Sequence, residues 1–396
     1  MSNKLFVNTF SLYLGLSPIF WFPFIPPAFI LFFKFFLFFI ISLFTFSYYY
    51  LKKSPKFNFP GGGKTIYLLI TMFLLLLPYI LFGYHSANAF SLVNIFQIII
   101  FLMASIVIIE MKQVHNVIKS SLKIVSLFVF ISVVLMFLIP AFPNPFNPAL
   151  NLLNSGFGGS RTGWGPSIAL YIPFILPFFS NITLVLLYLS SQLMTGGRAG
   201  FYFSLLLLPF SIYSEKSLKL YCKVSVVVIF GVLALFIHSP DFLSELRVLN
   251  SFDFSSKDIN EVSSGRVALL EDALLSISNS PFFGQAVHSS FVGEGVHNVF
   301  IKNWVYYGFL YLLCSLLLVL YVLIKSFFRV FSVQQNVDKK MCVALFLVLS
   351  NGFLLAMIEP SIIFGNFNTF SVWWFCFALT ASNQFLLSTE KGFCSA

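Results

Sequence analysis

Five polar residues stand out in a sequence dominated by apolar ones. Arg161 sits in Ser160-Arg161-Thr162-Gly163-Trp164, Arg198 in Gly196-Gly197-Arg198-Ala199-Gly200, and Arg266 in Ser263-Ser264-Gly265-Arg266. His297 and Asn298 stand together in Gly295-Val296-His297-Asn298-Val299-Phe300. Arginine presents a planar fork of donors that grips phosphate with two bonds and keeps its charge throughout the accessible pH range. Two of them near a membrane surface suit a lipid-linked pyrophosphate, which they would hold while stabilising the charge that develops as it leaves. A histidine titrating near neutrality can take the proton of an attacking sugar hydroxyl, a step worth about 10²–10⁴-fold in rate.

Each residue also has a plainer role open to it. Arg198 fits an anchor whose charge snorkels to the interface. Arg266 fits the solvated face of a surface helix, and His297 fits a hydrogen-bonded interfacial histidine. Arg161 is a single-residue signal of the same kind, and His85, His238 and His288 fall on the same side of the membrane in the topology derived below. The sequence carries no phosphate-binding glycine loop, no HExxH and no Cys/His cluster. Such a site would therefore take a donor already activated and carried on lipid, with no metal and no cofactor. Cys222, Cys314, Cys342, Cys376 and Cys394 fall in apolar runs or on the side assigned to the cytoplasm, a pattern that indicates neither a disulfide framework nor zinc.

The elements that must position these residues follow from composition. Hydrophobic residues make up 59% of the chain and charged ones 9%, with a mean hydropathy of +0.93. A water-facing surface needs roughly 25% charged residues, so the solvent is lipid. Apolar runs recur along residues 1–396 and predict one all-α membrane domain of about 12 spanning helices, each long enough for about 30 Å of hydrocarbon. The expected spans are 5–24, 27–50, 65–84, 90–110, 122–141, 166–180, 182–197, 200–214, 222–238, 304–325, 341–358 and 367–388. Those from 166 to 214 are short and interrupted by Pro173, Pro177 and Gly196-Gly197. The segment from Met1 to Phe24 lacks a small-residue cleavage site and reads as a retained first helix.

Lysines at 4, 52, 53, 56, 64, 112, 119, 123, 216, 219, 223, 325, 339, 340 and 391, with Arg329, fall on the side of the termini, whereas the other side keeps Arg161, Arg198, Arg247, Lys257, Arg266 and Lys302. The positive-inside rule then places both termini in the cytoplasm of a bacterial inner membrane. Clustered between apolar runs, these cations are orientation signals, and no nucleic-acid partner is expected. Lys34 alone lies well inside a span, where snorkelling to a headgroup is the expectation; Glu110, Glu359 and Lys302 lie near span ends. Two outer segments are too long for turns: 142–165, rich in Pro, Asn and Gly, and 239–303, which holds most of the chain's 13 acids. Within the second, Val267, Leu270, Leu274 and Ile277 recur at helical spacing and predict an amphipathic helix on the membrane surface, ended by Pro281 and Gly284.

The order of these motifs resembles the O-antigen polymerase and ligase superfamily (Wzy-like and WaaL-like proteins). The matching pieces are Arg161-Thr162-Gly163, Gly197-Arg198-Ala199-Gly200, Ser264-Gly265-Arg266 opening a helix, Pro281-Phe282-Phe283-Gly284, and His297-Asn298 followed by Tyr307-Gly308. Gly197 stands where many relatives have a serine. The resemblance implies a GT-C-like fold and glycan transfer from undecaprenyl pyrophosphate. Arg198 and Arg266 would grip the donor pyrophosphate, and His297 would orient or deprotonate the acceptor hydroxyl. Arg161 and Asn298 would contribute to substrate binding. The expected activity is that of an O-antigen polymerase, passing a growing glycan to a lipid-linked repeat unit. The alternatives are a ligase acting on lipid A core and a polysaccharide flippase. Expected partners are the undecaprenyl-pyrophosphate-linked oligosaccharide as donor and acceptor, membrane lipid, and a chain-length regulator of the kind the family allows. A flippase or coupled transporter needs a polar path through the bundle, with midplane carboxylates or a distributed basic cavity. Here the polar residues concentrate in the outer loops instead.

Overall fold

The computed structural model describes residues 3–51, 63–82, 86–145, 147–214, 266–284, 296–333, 336–359, 362–364 and 367–382. The expected span 222–238 and most of segment 239–303 lie outside them, as do His85, His238 and His288. The described chain is mostly helical. The first half contains α1 (Asn3–Leu16), α2 (Pro27–Leu51), α3 (Gly63–Phe82), α4 (Ser86–Glu110) and α5 (Val114–Leu138). A small antiparallel hairpin, β1 (Pro143–Asn144) and β2 (Asn147–Asn151), leads into α6 (Leu152–Ser155) and α7 (Arg161–Ala169). Then come α8 (Ile172–Phe179), α9 (Ile182–Met194) and α10 (Arg198–Ser214), and finally α11 (Arg266–Asn279), α12 (Val299–Ser332), α13 (Asn336–Ala356) and α14 (Phe367–Ala381).

Five helices among the described residues are long and apolar enough to cross a membrane: α2, α5, α12, and the stretches Leu92–Glu110 and Lys339–Ala356. A helix satisfies its own backbone, which is the condition for entering hydrocarbon. The exposed surface tells the same story. Phe29, Phe32, Phe35, Phe36, Phe39 and Phe46 of α2 all lie on the outside, an apolar face that water would not tolerate at this extent. The buried face of the bundle is aromatic: Phe6 stacks on Phe44 at 4.2 Å between centroids, Phe10 on Phe101 at 5.0 Å, and Phe101 meets Phe367 edge-on at 5.2 Å. These contacts tie α1, α2, α4 and α14 together.

The first helix departs from expectation. It ends at Leu16 rather than near residue 24, because Ser17 precedes Pro18, and the residue before a proline is pushed out of the helical region. Its 14 residues reach about 21 Å, short of a full crossing. Lys34 departs with it. Instead of reaching for a headgroup, it is buried, donates to the Ser17 carbonyl at 2.8 Å and lies 4.6 Å from the centre of the Phe20 ring. A helix end leaves carbonyls without partners, and an ammonium there also meets the negative end of the helix dipole.

The same device closes the other end of the bundle. Lys325 of α12 donates to the Ala381 carbonyl at 2.7 Å, and buried Arg329 donates to Leu379 at 3.0 Å and Ser382 at 2.6 Å. The two cations counted as orientation signals thus cap the last turn of α14. Arg329→Ala would strand two buried carbonyls, and an expected loss of about 2–3 kcal/mol follows from charge-assisted bonds of this kind. Thermal unfolding of the variant in lipid nanodiscs measures it; a melting temperature equal to the parent's would contradict the capping role.

Candidate functional site at one end of the bundle

The end of α1 gathers the pieces. Phe20 donates its backbone N–H to the Phe157 carbonyl at 2.7 Å, and Trp21 donates its indole N–H to the Gly158 carbonyl at 2.9 Å. Tyr13 donates to Asn368 Oδ1 at 2.8 Å. The loop leading into α7 and the start of α14 therefore meet at the same end of the molecule.

Side chains of the described part of segment 142–165 hold it together. Asn144 donates to Ser155 Oγ at 2.8 Å, and Asn151 caps α6 by accepting from the Asn154 N–H. Ser160 then caps α7, its Oγ accepting from the Gly163 N–H at 3.1 Å, so the helix begins at Arg161, five residues before the expected span. Trp164 fixes that start. It is fully buried, its indole donates to Ser191 Oγ at 2.9 Å, and a side chain at Gly156 or Gly158 would run into its ring or backbone.

Arg198 opens α10. Gly196, at a φ of +63°, turns the chain out of α9, and Gly200 brings α10 against α7. A Cβ on Gly200 would stand 2.6 Å from the Gly165 carbonyl, and one on Gly165 would stand 3.1 Å from Gly197 Cα. The first turns of α7 and α10 are thus in backbone contact, as small residues permit within membranes. Gln192 braces the crossing by donating to the Gly165 carbonyl at 3.3 Å. Arg161 and Arg198, predicted separately from sequence, open the two crossing helices.

Arg266 opens α11, whose Ala273 and Ile277 pack on Val296 and Val305. The expected apolar stripe splits: Ile277 faces α12, while Leu270, Leu274 and Leu275 stay exposed beside Glu271 and Asp272, free to lie against lipid. The turn after α11 inserts into α12. Pro281 accepts from the Trp304 indole at 2.9 Å and from the Phe309 N–H at 3.1 Å, where Gly308 breaks the helix. The side chains of Arg161, Arg198 and Arg266 lie outside the described ones.

His297 and Asn298 sit at the opening of α12. Asn298 caps the helix, accepting from the Phe300 and Ile301 N–H groups at 2.9 and 3.1 Å, and its amide donates to the Met357 carbonyl at 3.0 Å. The structure gives Asn298 this bracing role. It also brings His297 to a residue noticed in the sequence only as an acid near a span end. Glu359, just beyond α13 and 3% exposed, places Oε2 3.7 Å from His297 Nδ1. Nothing in sequence links positions so far apart; the available signal was a carboxylate beside an apolar run. Since the segment holding Glu359 joins α13 to α14, this pair belongs to the end where α7 and α14 begin.

α7, α10 and α11 each begin at an arginine and have no acid in the first turn, although a cation there opposes the helix's own dipole. Unpaired N–H groups at a helix start, with arginine beside them, are donors for phosphate oxygens. In comparison with known proteins, no family model matches this chain and no curated protein matches it in sequence.

Proposed function

We propose that the protein is a membrane glycosyltransferase that takes its glycan from a polyprenyl pyrophosphate, in the manner of an O-antigen polymerase. The observation that carries this reading is the arrangement of three arginines, each opening a helix against the sense of the dipole. A bound pyrophosphate would offset that unfavourable placement. Arg198 and Arg266 grip the leaving pyrophosphate, Arg161 holds the donor from the crossing helix, and His297 accepts the proton of the attacking hydroxyl. The chain crosses a bacterial inner membrane about 12 times on a GT-C-like plan, with both termini cytoplasmic and the site on the outer face. Donor and acceptor then approach within the plane of the lipid.

The test is the surface polysaccharide of a strain lacking the gene, resolved on a gel beside its parent. Core carrying a single repeat unit is the expected result and identifies a polymerase. Bare core, with polymer retained on its lipid carrier, identifies a ligase that uses the same donor. An unchanged ladder would overturn the transfer reading.

A further inference from the structure

We infer that Glu359 is a positioning residue for His297, holding the imidazole in one tautomer with Nε2 free to accept a proton. The inference rests on the transfer reading only for its catalytic consequence; the pairing stands on geometry. His297 Nδ1 is buried without a hydrogen-bond partner, while the side chain is 33% exposed, so the exposed area belongs to the rest of the ring. Glu359 Oε2, itself buried, faces that nitrogen at 3.7 Å. The distance exceeds a hydrogen bond by less than 1 Å, and such contacts often tighten only when substrate binds.

Both partners are held from the backbone. The Glu359 N–H donates to the Leu355 carbonyl at 2.9 Å, extending the end of α13, and Asn298 bridges from the residue beside His297 to Met357. The segments that carry the pair are therefore latched together two residues from the acid. A carboxylate facing one imidazole nitrogen draws the proton to that nitrogen and leaves the other with its lone pair. In glycan transfer, Nε2 would take the proton of the acceptor hydroxyl as its oxygen forms a bond to the anomeric carbon. The bond from that carbon to the pyrophosphate oxygen breaks, and the pyrophosphate leaves on its lipid carrying the electron pair. Glu359 touches neither sugar; it acts through His297.

The tautomer can be read without any substrate. In protein labelled with ¹⁵N-histidine and held in nanodiscs, the His297 signal, assigned by its loss in His297→Asn, is expected to show Nδ1 protonated and Nε2 bare. Glu359→Gln, whose amide can donate to Nδ1, is expected to turn it to the opposite tautomer, and Glu359→Asp to keep it. With polyprenyl-pyrophosphate-linked repeat units as substrate, Glu359→Gln is expected to lower kcat about 10–100-fold with KM nearly unchanged, a fraction of what the base itself supplies. Adding it to His297→Ala is expected to cost nothing more. An identical tautomer in parent and Glu359→Gln would overturn the inference, as would an undiminished kcat. If Glu359→Gln fails to insert, a Glu359→Asp protein with the tautomer reversed would overturn it equally. A parent protein that transfers no glycan would sink the transfer reading alone, and the spectrum would still decide the pair.

Discussion

His297→Ala, reconstituted in lipid with a polyprenyl-pyrophosphate-linked repeat unit, is expected to lose at least about 10²-fold in kcat while melting at the parent's temperature. The two halves of this expectation have separate causes. The ring is partly exposed, and its nearest charged partner is 3.7 Å away, so removing it deletes little packing. The cap that starts α12 belongs to Asn298 and survives the change. What disappears is the group proposed to take a proton. Donor binding, which the proposal assigns to the arginines, should persist, so KM for the donor should hold while kcat falls. A His297→Ala protein with full turnover would remove the base from the mechanism. One that unfolds would assign His297 to the scaffold instead.

Much of the molecule is legible in the sequence because lipid imposes a simple rule. A run of about 20 apolar residues without charge must be helical and must satisfy its own backbone, so α2, α4, α5, α12 and α13 can be found by inspection. The turn at Ser180-Asn181 is similarly plain, with Ser180 in the left-handed region and Asn181 capping α9. Capping also moves boundaries that hydropathy alone misplaces: Ser160 starts α7 at Arg161, and Ser17-Pro18 stops α1 at Leu16. Charges inside apolar runs are harder to place. Lys34 reads as a snorkelling residue because periodicity cannot say that a neighbouring helix ends beside it with carbonyls to fill.

The site shows the same division. Arginines in glycine-rich segments are visible as types, and the glycines prove to matter because two backbones meet at Gly165 and Gly200. The pairing of His297 with Glu359 is invisible in sequence, since α12 and α13 must fold back on each other before the residues meet. Asn298 carries a second reading. A polar residue beside a catalytic candidate suggests a substrate contact, and helix starts also recruit asparagine for their own unpaired N–H groups.

The largest structural effect is expected at Gly308, where the motif Pro281-Phe282-Phe283-Gly284 meets α12. Gly308 has φ +80° and ψ 178°, a region that is essentially closed to residues with a side chain. A Cβ there would run directly into the Phe282 carbonyl. On the opposing side Gly284, at φ +68°, leaves room for the Tyr306 carbonyl and the Gly308 N–H, each within 2.6 Å of where its Cβ would stand. The two glycines let the turn after α11 enter a break in α12, and the Pro281 carbonyl then takes the Phe309 N–H that the broken helix cannot bond. Gly308→Ala combines backbone strain with a clash against main chain that no rotamer relieves, an expected loss of about 3 kcal/mol or more. The helix beyond the break, from Phe309 to Ser332, is about 36 Å long and can still cross the bilayer. The damage should therefore fall on α11, the element that carries Arg266, rather than on insertion. Hydrogen exchange over 266–279 should rise sharply and transfer should fall, whereas Phe283→Ala, which trims an exposed ring from the same turn, should leave both near the parent's values. Parent-like exchange in Gly308→Ala would mean that α11 is held by Ala273 and Ile277 alone, and that the break in α12 has no part in placing the arginine.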